Sequence, residues 1–187
     1  MPKFSLSFET KIMTSEEIQQ LIIEWGDVRY LPDYFHRHPE EMHKLVEIVF
    51  SESHSSNWRA AWLLDKINEK DPIQVHEFIP PIIDFAYSTE NGSKLRHLLK
   101  IISLHEIPRE QAGKLFDYAF SVFTNPNYAI AIRVHAMQIL FEISEMEYEL
   151  KPELISLIEN ELEIHPSPGI KSRGTKLLRK LCKQTNR

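Results

Sequence analysis

The stretch NWRAAWLLDKI, residues 57–67, sets Trp58 and Trp62 four residues apart, with Arg59 between them and Asp65 three positions further on. At that spacing Trp58, Trp62 and Asp65 fall on one face of a helix. The pair Trp58-Arg59 has counterparts down the chain. Leu95-Arg96 and Ile132-Arg133 follow at intervals of 37 and 37 residues, and Ile170-Lys171 after 38; one interval earlier lies Leu21. The same frame stacks Trp25, Trp62, Leu99, Ala136 and Gly174 in one column, and Val28, Asp65, Ile102, Ile139 and Leu177 in another. A fixed period of this length signals stacked supersecondary units.

If each unit holds two helices, the same spacing must align a second set of apolar positions. It does: Met42, Ile79, Phe116 and Leu154 form one column, Leu45, Ile82, Ala119 and Leu157 a second, and Val46, Ile83, Phe120 and Ile158 a third. Turn and cap signals agree. Ser15, Pro39, Asn57, Asp71 before Pro72, Ser93, Pro108, Pro152 and Ser167 before Pro168 each stand where an N-cap or an N1 proline belongs. Between these starts apolar residues recur at three and four, as in Leu95, Leu98, Leu99 and Ile102. Pro80-Pro81 predicts a kink or break near Ile79, and Gly26 and Asp27 predict an early end to the first helix.

On these residues the chain resembles the HEAT/armadillo class of α-solenoids, in which a first helix reads as an apolar residue, then Arg, then small residues at the helix contact. IRVHAMQIL at residues 132–140 and WRAAWLL at residues 58–64 carry the pattern. The resemblance covers roughly residues 14–183 and implies an all-α fold: an α-α superhelix of about four helix pairs plus a C-terminal capping helix. The expected organisation is an N-terminal arm over residues 1–13, containing the alternating FSLSF, and a single HEAT-like solenoid domain over 14–187.

Composition bounds the function. The chain has 187 residues, 42% hydrophobic and 26% charged, with only 5 Gly, which fits one helical domain with a core. No apolar run approaches the roughly 18 residues needed to span a bilayer. The N-terminus lacks the continuous apolar segment of a secretory signal. A cytoplasmic location is expected. Cys182 is the single cysteine, which excludes an intramolecular disulfide and a Cys-based zinc site. Between Leu181 and Lys183 it reads as an inert thiol, or else as a nucleophile beside cations.

Charge is unevenly spread. Residues 1–70 carry 8 basic and 12 acidic groups (−4), 71–169 carry 7 and 15 (−8), and 170–187 carry 7 and none (+7). An acidic body lacks the phosphate-neutralising charge of a nucleic-acid reader, so nucleic acid is an unfavoured partner. The crowd of Glu142, Glu145, Glu147, Glu149, Glu153, Glu159, Glu161 and Glu163, opposed by Lys151, could instead steer a basic protein partner.

Three constellations could carry chemistry. Trp58, Arg59, Trp62 and Asp65 supply the residue types that HEAT-like DNA glycosylases for alkylated bases use on a concave surface, though no position-by-position motif match accompanies them; packing between helices is the plainer reading. His36, His38 and His43, with Glu40, Glu41 and Glu47 close by, could ligate a metal through imidazole, or else are exposed side chains of a connection and a helix that starts at Pro39. The column Arg59, Arg96 and Arg133 could be a stripe of anion receptors, or a set of ties to neighbouring repeats through an Asp or a carbonyl. No phosphate loop, nucleophile elbow, Ser/His/Asp arrangement or paired-carboxylate motif occurs, so no catalytic residue and no cofactor is assigned. The expected role is a protein-interaction or scaffold module, because a solenoid offers surface and few convergent polar groups.

Overall fold

The computed structural model describes residues 12–25 and 30–185. Residues 1–11 of the predicted arm over 1–13, Val28 of the second column, Gly26, Asp27 and Arg187 lie outside them. The described residues form eleven α-helices and no strand. The chain divides into two compact units, Met1–Phe78 and Ile79–Arg187.

In the first unit α1 (Ser15–Glu24) begins on a capping box, in which Thr14 accepts from the Glu17 amide and Glu17 accepts from the Thr14 amide. It ends at Trp25, whose backbone is left-handed at φ 57. A short helix α2 (Leu31–Arg37) follows, then α3 (Met42–Phe50), α4 (Trp58–Lys70) and α5 (Ile73–His76). α1 packs on α3, and both α2 and α3 pack on α4, around Ile18, Ile22, Phe35, Leu45, Val49 and Leu64. Residue 13 is tied in as well. The Met13 amide donates to Tyr34 Oη at 2.9 Å and its carbonyl accepts from Lys44 Nζ at 2.9 Å.

α2 departs from expectation. The segment around His36 and His38 reads as a connection, yet Leu31, Tyr34 and Phe35 at spacings of three and four bury one face. Pro32 suits the first turn, Asp33 complements the dipole there, and His36 and Arg37 do so in the last turn.

The second unit contains α6 (Ile79–Ala86), α7 (Gly92–Ile102), α8 (Arg109–Thr124), α9 (Ile130–Met146), α10 (Lys151–Ile164) and α11 (Pro168–Gln184). The break foreseen at Pro80-Pro81 falls where α6 starts, the two prolines sitting in its first turn, where a missing N–H leaves no bond unmade. α6 packs on α7, α7 and α8 on α9, and α9, α10 and α11 on one another. In the frame of the period, α1, α4, α7, α9 and α11 are first helices, and α3, α6, α8 and α10 are second helices. This is an all-α HEAT-type solenoid fold, with α2 and α5 as short additions.

The columns are mostly buried: Leu99, Ala136 and Gly174 in one, Asp65, Ile102, Ile139 and Leu177 in the next. Gly174 is where side chains of α10 press on the α11 backbone. A Cβ there would stand 3.1 Å from Ile158 and 3.4 Å from Leu162, so the column shrinks to glycine as α11 closes on α10. Phe120 breaks the pattern and is exposed, because α8 buries Leu115, Ala119, Val122 and Phe123 instead, a slightly rotated face. Two predicted caps are displaced by one or two residues. Thr14, not Ser15, caps α1. Asn91, not Ser93, starts α7, its side chain accepting from the amides of Ser93 and Lys94.

Candidate functional site

The three tryptophans gather in the first unit. Trp25 stands edge-on to Trp62 at 5.1 Å between ring centroids and tilted to Trp58 at 6.5 Å. All three rings are half-buried, so Trp62 is less enclosed than a purely interior position would be. The Arg59 guanidinium lies 4.9 Å from the Trp25 ring centroid and 5.9 Å from that of Trp58. It also donates to the carbonyls of Ile22 at 3.3 Å and Ile23 at 2.8 Å. Those carbonyls belong to the last turn of α1, where orphan acceptors need outside donors. Arg59 is therefore engaged with the end of a neighbouring helix. Asp65, of the same constellation, is 2% exposed and is not displayed beside the rings. Trp25, missing from the constellation drawn from residues 57–67, was legible as Trp62's neighbour in the 37-residue column. Arg59→Ala is expected to lower the unfolding free energy by about 1.5 to 3 kcal/mol, the range for a hydrogen bond that involves a charged group. Denaturant unfolding followed by tryptophan emission measures it.

The rest of the arginine column divides. Arg96 is exposed. Arg133 is 4% exposed, and its Nε donates to the Phe123 carbonyl at 2.7 Å while Nη2 bonds Glu161. His165 Nδ1 stands 3.2 Å from the same Glu161 oxygen. Arg59 and Arg133 thus act as ties, one to carbonyls and one to a carbonyl and a carboxylate.

The three histidines do not converge. His36 Nδ1 is 3.7 Å from Asp71 and 3.4 Å from the Gln74 amide. His38 stacks at 4.8 Å on Tyr34 and faces Glu40 at 3.4 Å. His43 Nδ1 lies 2.8 Å from the Glu40 carbonyl, an arrangement in which it donates. Each ring nitrogen answers to a different group, and among the described residues no cluster of three His, Cys, Asp or Glu is placed to hold a metal ion. Cys182 is half-buried on α11.

α11 docks on α9 and α10 through Ile170, Gly174, Leu177 and Leu181, while Leu178 is half-buried. Its polar fastening includes two of its cations, Arg173 donating to Gln138 Oε1 and Lys180 lying 5.2 Å from the Phe141 ring centroid. Gln184 is the hub: its Nε2 donates to Glu145 at 2.9 Å, its Oε1 accepts from Lys151 at 3.0 Å, and its carbonyl accepts from Tyr148 Oη at 3.2 Å. Lys151, 5% exposed, also reaches Glu145 at 2.5 Å. Burial pushes the Glu145 carboxyl upward, but hydrogen bonds from Lys151 and Gln184 outweigh it and hold it below its ordinary 4.5. With a depressed folded-state value, this contribution is present above pH 4.5 and is lost as pH falls through the folded value. Acid titration of the melting temperature is expected to show a loss below about pH 4.5 that Glu145→Gln reduces. An unchanged acid limb in that variant would remove Glu145 from the cause.

The fastening engages Glu145, Arg173 and Lys180, and other charges of both signs stay open to solvent. Glu147, Glu149, Glu153, Glu159 and Glu163 are exposed on α10 and the turn before it. Lys171, Lys176, Arg179 and Lys183 are exposed on α11. None of these nine makes an ion pair with another described residue.

Helix pairs recurring at a 37-residue period, with an arginine tie inside each unit, define the α-solenoid class. A family model described as a HEAT repeat domain matches residues 15–181, so the chain belongs to the HEAT repeat family. No curated protein and no solved structure matches it. No described helix is long and apolar enough to cross a membrane.

Proposed function

We propose that the chain is a protein-interaction scaffold that takes a basic segment of a partner protein on the acidic face of α10. HEAT repeats generally mediate protein–protein interaction or scaffolding. The observation that carries the finer reading is the set of five exposed carboxylates between Glu147 and Glu163 with no ion pair among the described residues. Such a field steers and orients a cationic partner. Residues 14–187 act as one HEAT domain in this reading, in support of which the family match spans 15–181, and the protein works in the cytoplasm. Arg59 engaged on α1 and Asp65 buried leave no observation in favour of a nucleobase site.

The test is an affinity capture from the native cell with the wild type and with Glu153→Gln/Glu159→Gln/Glu163→Gln. A basic protein retained by the first and lost by the second is expected; retention that is indifferent to the substitutions overturns the reading. A labelled duplex titrated in parallel is expected to bind no tighter than the roughly 10⁻⁴ to 10⁻⁶ M of non-specific contacts at physiological salt. Sub-micromolar binding with a steep salt slope would favour a nucleic-acid reader instead.

A further inference from the structure

The second helices of the second unit meet along two seams that differ in how they are filled. Between α6 and α8 the side chains interlock. Gln111 Nε2 donates to the Pro80 carbonyl and to Asp84 Oδ1, each at 3.2 Å, Tyr118 Oη donates to the Ala86 carbonyl at 2.8 Å, and Lys114 Nζ lies 4.2 Å from the Tyr87 ring centroid. The buried rows set the correspondence with the next seam: Ile82 and Ala86 of α6 match Leu115 and Ala119 of α8, which match Leu154 and Ile158 of α10. Between α8 and α10, therefore, Gly113, Asp117 and Phe120 stand where α6 has Pro80, Asp84 and Tyr87, while Leu150, Glu153 and Leu157 stand where α8 has Gln111, Lys114 and Tyr118. Direction agrees with height. At 3.6 residues per turn Gly113, Asp117 and Phe120 share about 60° of α8, roughly 130° round from the side that meets α6. Leu150, Glu153 and Leu157 likewise share about 60° of α10, beside Glu161, which Arg133 joins to the Phe123 carbonyl of α8. Above that tie the seam is open. A Cβ at Gly113 would meet nothing within 4 Å, Phe120 is 38% exposed, and Leu150 and Leu157 are half-buried. Among the described residues the side chains of Asp117, Phe120 and Glu153 make no hydrogen bond, ion pair or ring contact. The chemistry has also changed sign: in place of the Lys114 cation on a ring stands the Glu153 carboxylate, with a second carboxylate, Asp117, across from it. Arg109 stands about two turns nearer the start of α8.

We infer that the seam between α8 and α10 is a docking cleft for an amphipathic basic segment of a partner protein. A Lys or Arg of that segment sits between Asp117 and Glu153 beside the Phe120 ring, and a bulky apolar side chain fills the space over Gly113 against Leu150. The inference rests on the protein-binding reading above and gives its partner a defined chemistry. Two like charges facing each other across a seam repel, and a cation between them removes the repulsion and restores the cation–ring contact that Lys114 makes with Tyr87. Glycine leaves room for the close approach of the partner. Exposed carboxylates alone hold a cationic chain weakly, so the apolar contact is what separates an amphipathic partner from any other cation.

Fluorescence anisotropy of the full chain with two labelled helical peptides decides the matter, one carrying Lys and Leu on opposite faces and one with Ala in place of every Leu. The wild type is expected to bind the Lys/Leu peptide about tenfold or more tighter than the Lys/Ala peptide. Gly113→Gln fills the space over residue 113 and raises helix propensity, so it is expected to bring the two affinities within about twofold while melting no lower than the wild type. Asp117→Asn/Glu153→Gln is expected to weaken both peptides and to flatten their salt dependence. Equal affinity of the wild type for the two peptides, or a preference that Gly113→Gln leaves intact, overturns the cleft. If the cleft fails in this way while Glu153→Gln/Glu159→Gln/Glu163→Gln still abolishes capture of a basic protein, the protein-binding reading stands without it. If capture is indifferent to that triple variant while Gly113→Gln removes the peptide preference, the acidic face of α10 is overturned and the cleft is upheld.

Discussion

Arg133→Ala is expected to lower the stability of the second unit by about 3 to 5 kcal/mol, the range for breaking a buried ion pair from one side. Arg133 and Glu161 have side-chain exposures of 5% and 5%, so water cannot replace the lost partner. The substitution also leaves the Phe123 carbonyl without its 2.7 Å donor. The damage reaches α8, α9 and α10 together, since Arg133 sits on the second and bonds the other two. Removing Glu161 as well restores part of the loss, because the buried carboxylate, left with His165 but without its arginine, is the costliest remnant. Urea midpoints of Arg133→Ala, Glu161→Leu and the double variant measure this. A single-variant loss under about 1 kcal/mol would show that the pair is solvated in solution, as exposed pairs are.

Ending the chain after Ser167 is expected to do more. α11 buries Ile170, Leu177 and Leu181 completely or nearly so, and each such side chain contributes about 1.5 to 3 kcal/mol. Its loss also uncovers Ile158 on α10 and strands Lys151 and Glu145 without Gln184. The sum of roughly 5 to 9 kcal/mol from those three side chains rivals the 5 to 15 kcal/mol that holds a typical domain together. The shortened protein should melt far lower and aggregate through the exposed seam. If it melts like the full chain and stays monomeric, α11 is a detachable binding element and not a structural cap.

The period, the alternation of first and second helices and the identity of α11 as a docked first helix were all readable in the sequence, because they rest on apolar spacing, which one chain displays directly. The arginine ties were readable as a class but not individually. Nothing in Arg59, Arg96 and Arg133 as letters says that the first finds two helix-end carbonyls, the second faces solvent and the third is buried against Glu161. That outcome depends on which neighbour ends beside each arginine. α2 was missed because its seven residues carry two turns of pattern, too few to separate from a connection, and are held by tertiary burial of Tyr34 and Phe35. The part that Gln184 plays in fastening α11 was not legible for a related reason: helix register places this neutral side chain within reach of Lys151 and Glu145, which charge counts do not show.

The bond from Arg59 to α1 carries a consequence for the chain as it is made. α1 has ten residues, shorter than the roughly 12 to 15 at which a lone helix becomes marginal in water. Its last turn is completed by a donor that lies 36 and 37 positions later. At about 5 to 20 residues per second, α1 leaves the exit tunnel about 2 to 7 s before that arginine does. Through this interval Trp25 has no Trp58 or Trp62 to rest on, and Ile18 and Ile22 gain α3 only towards its end. The N-terminal helix is therefore born unfinished, and the first quarter of the protein becomes resistant to proteases only as a block, once α4 has left the exit tunnel.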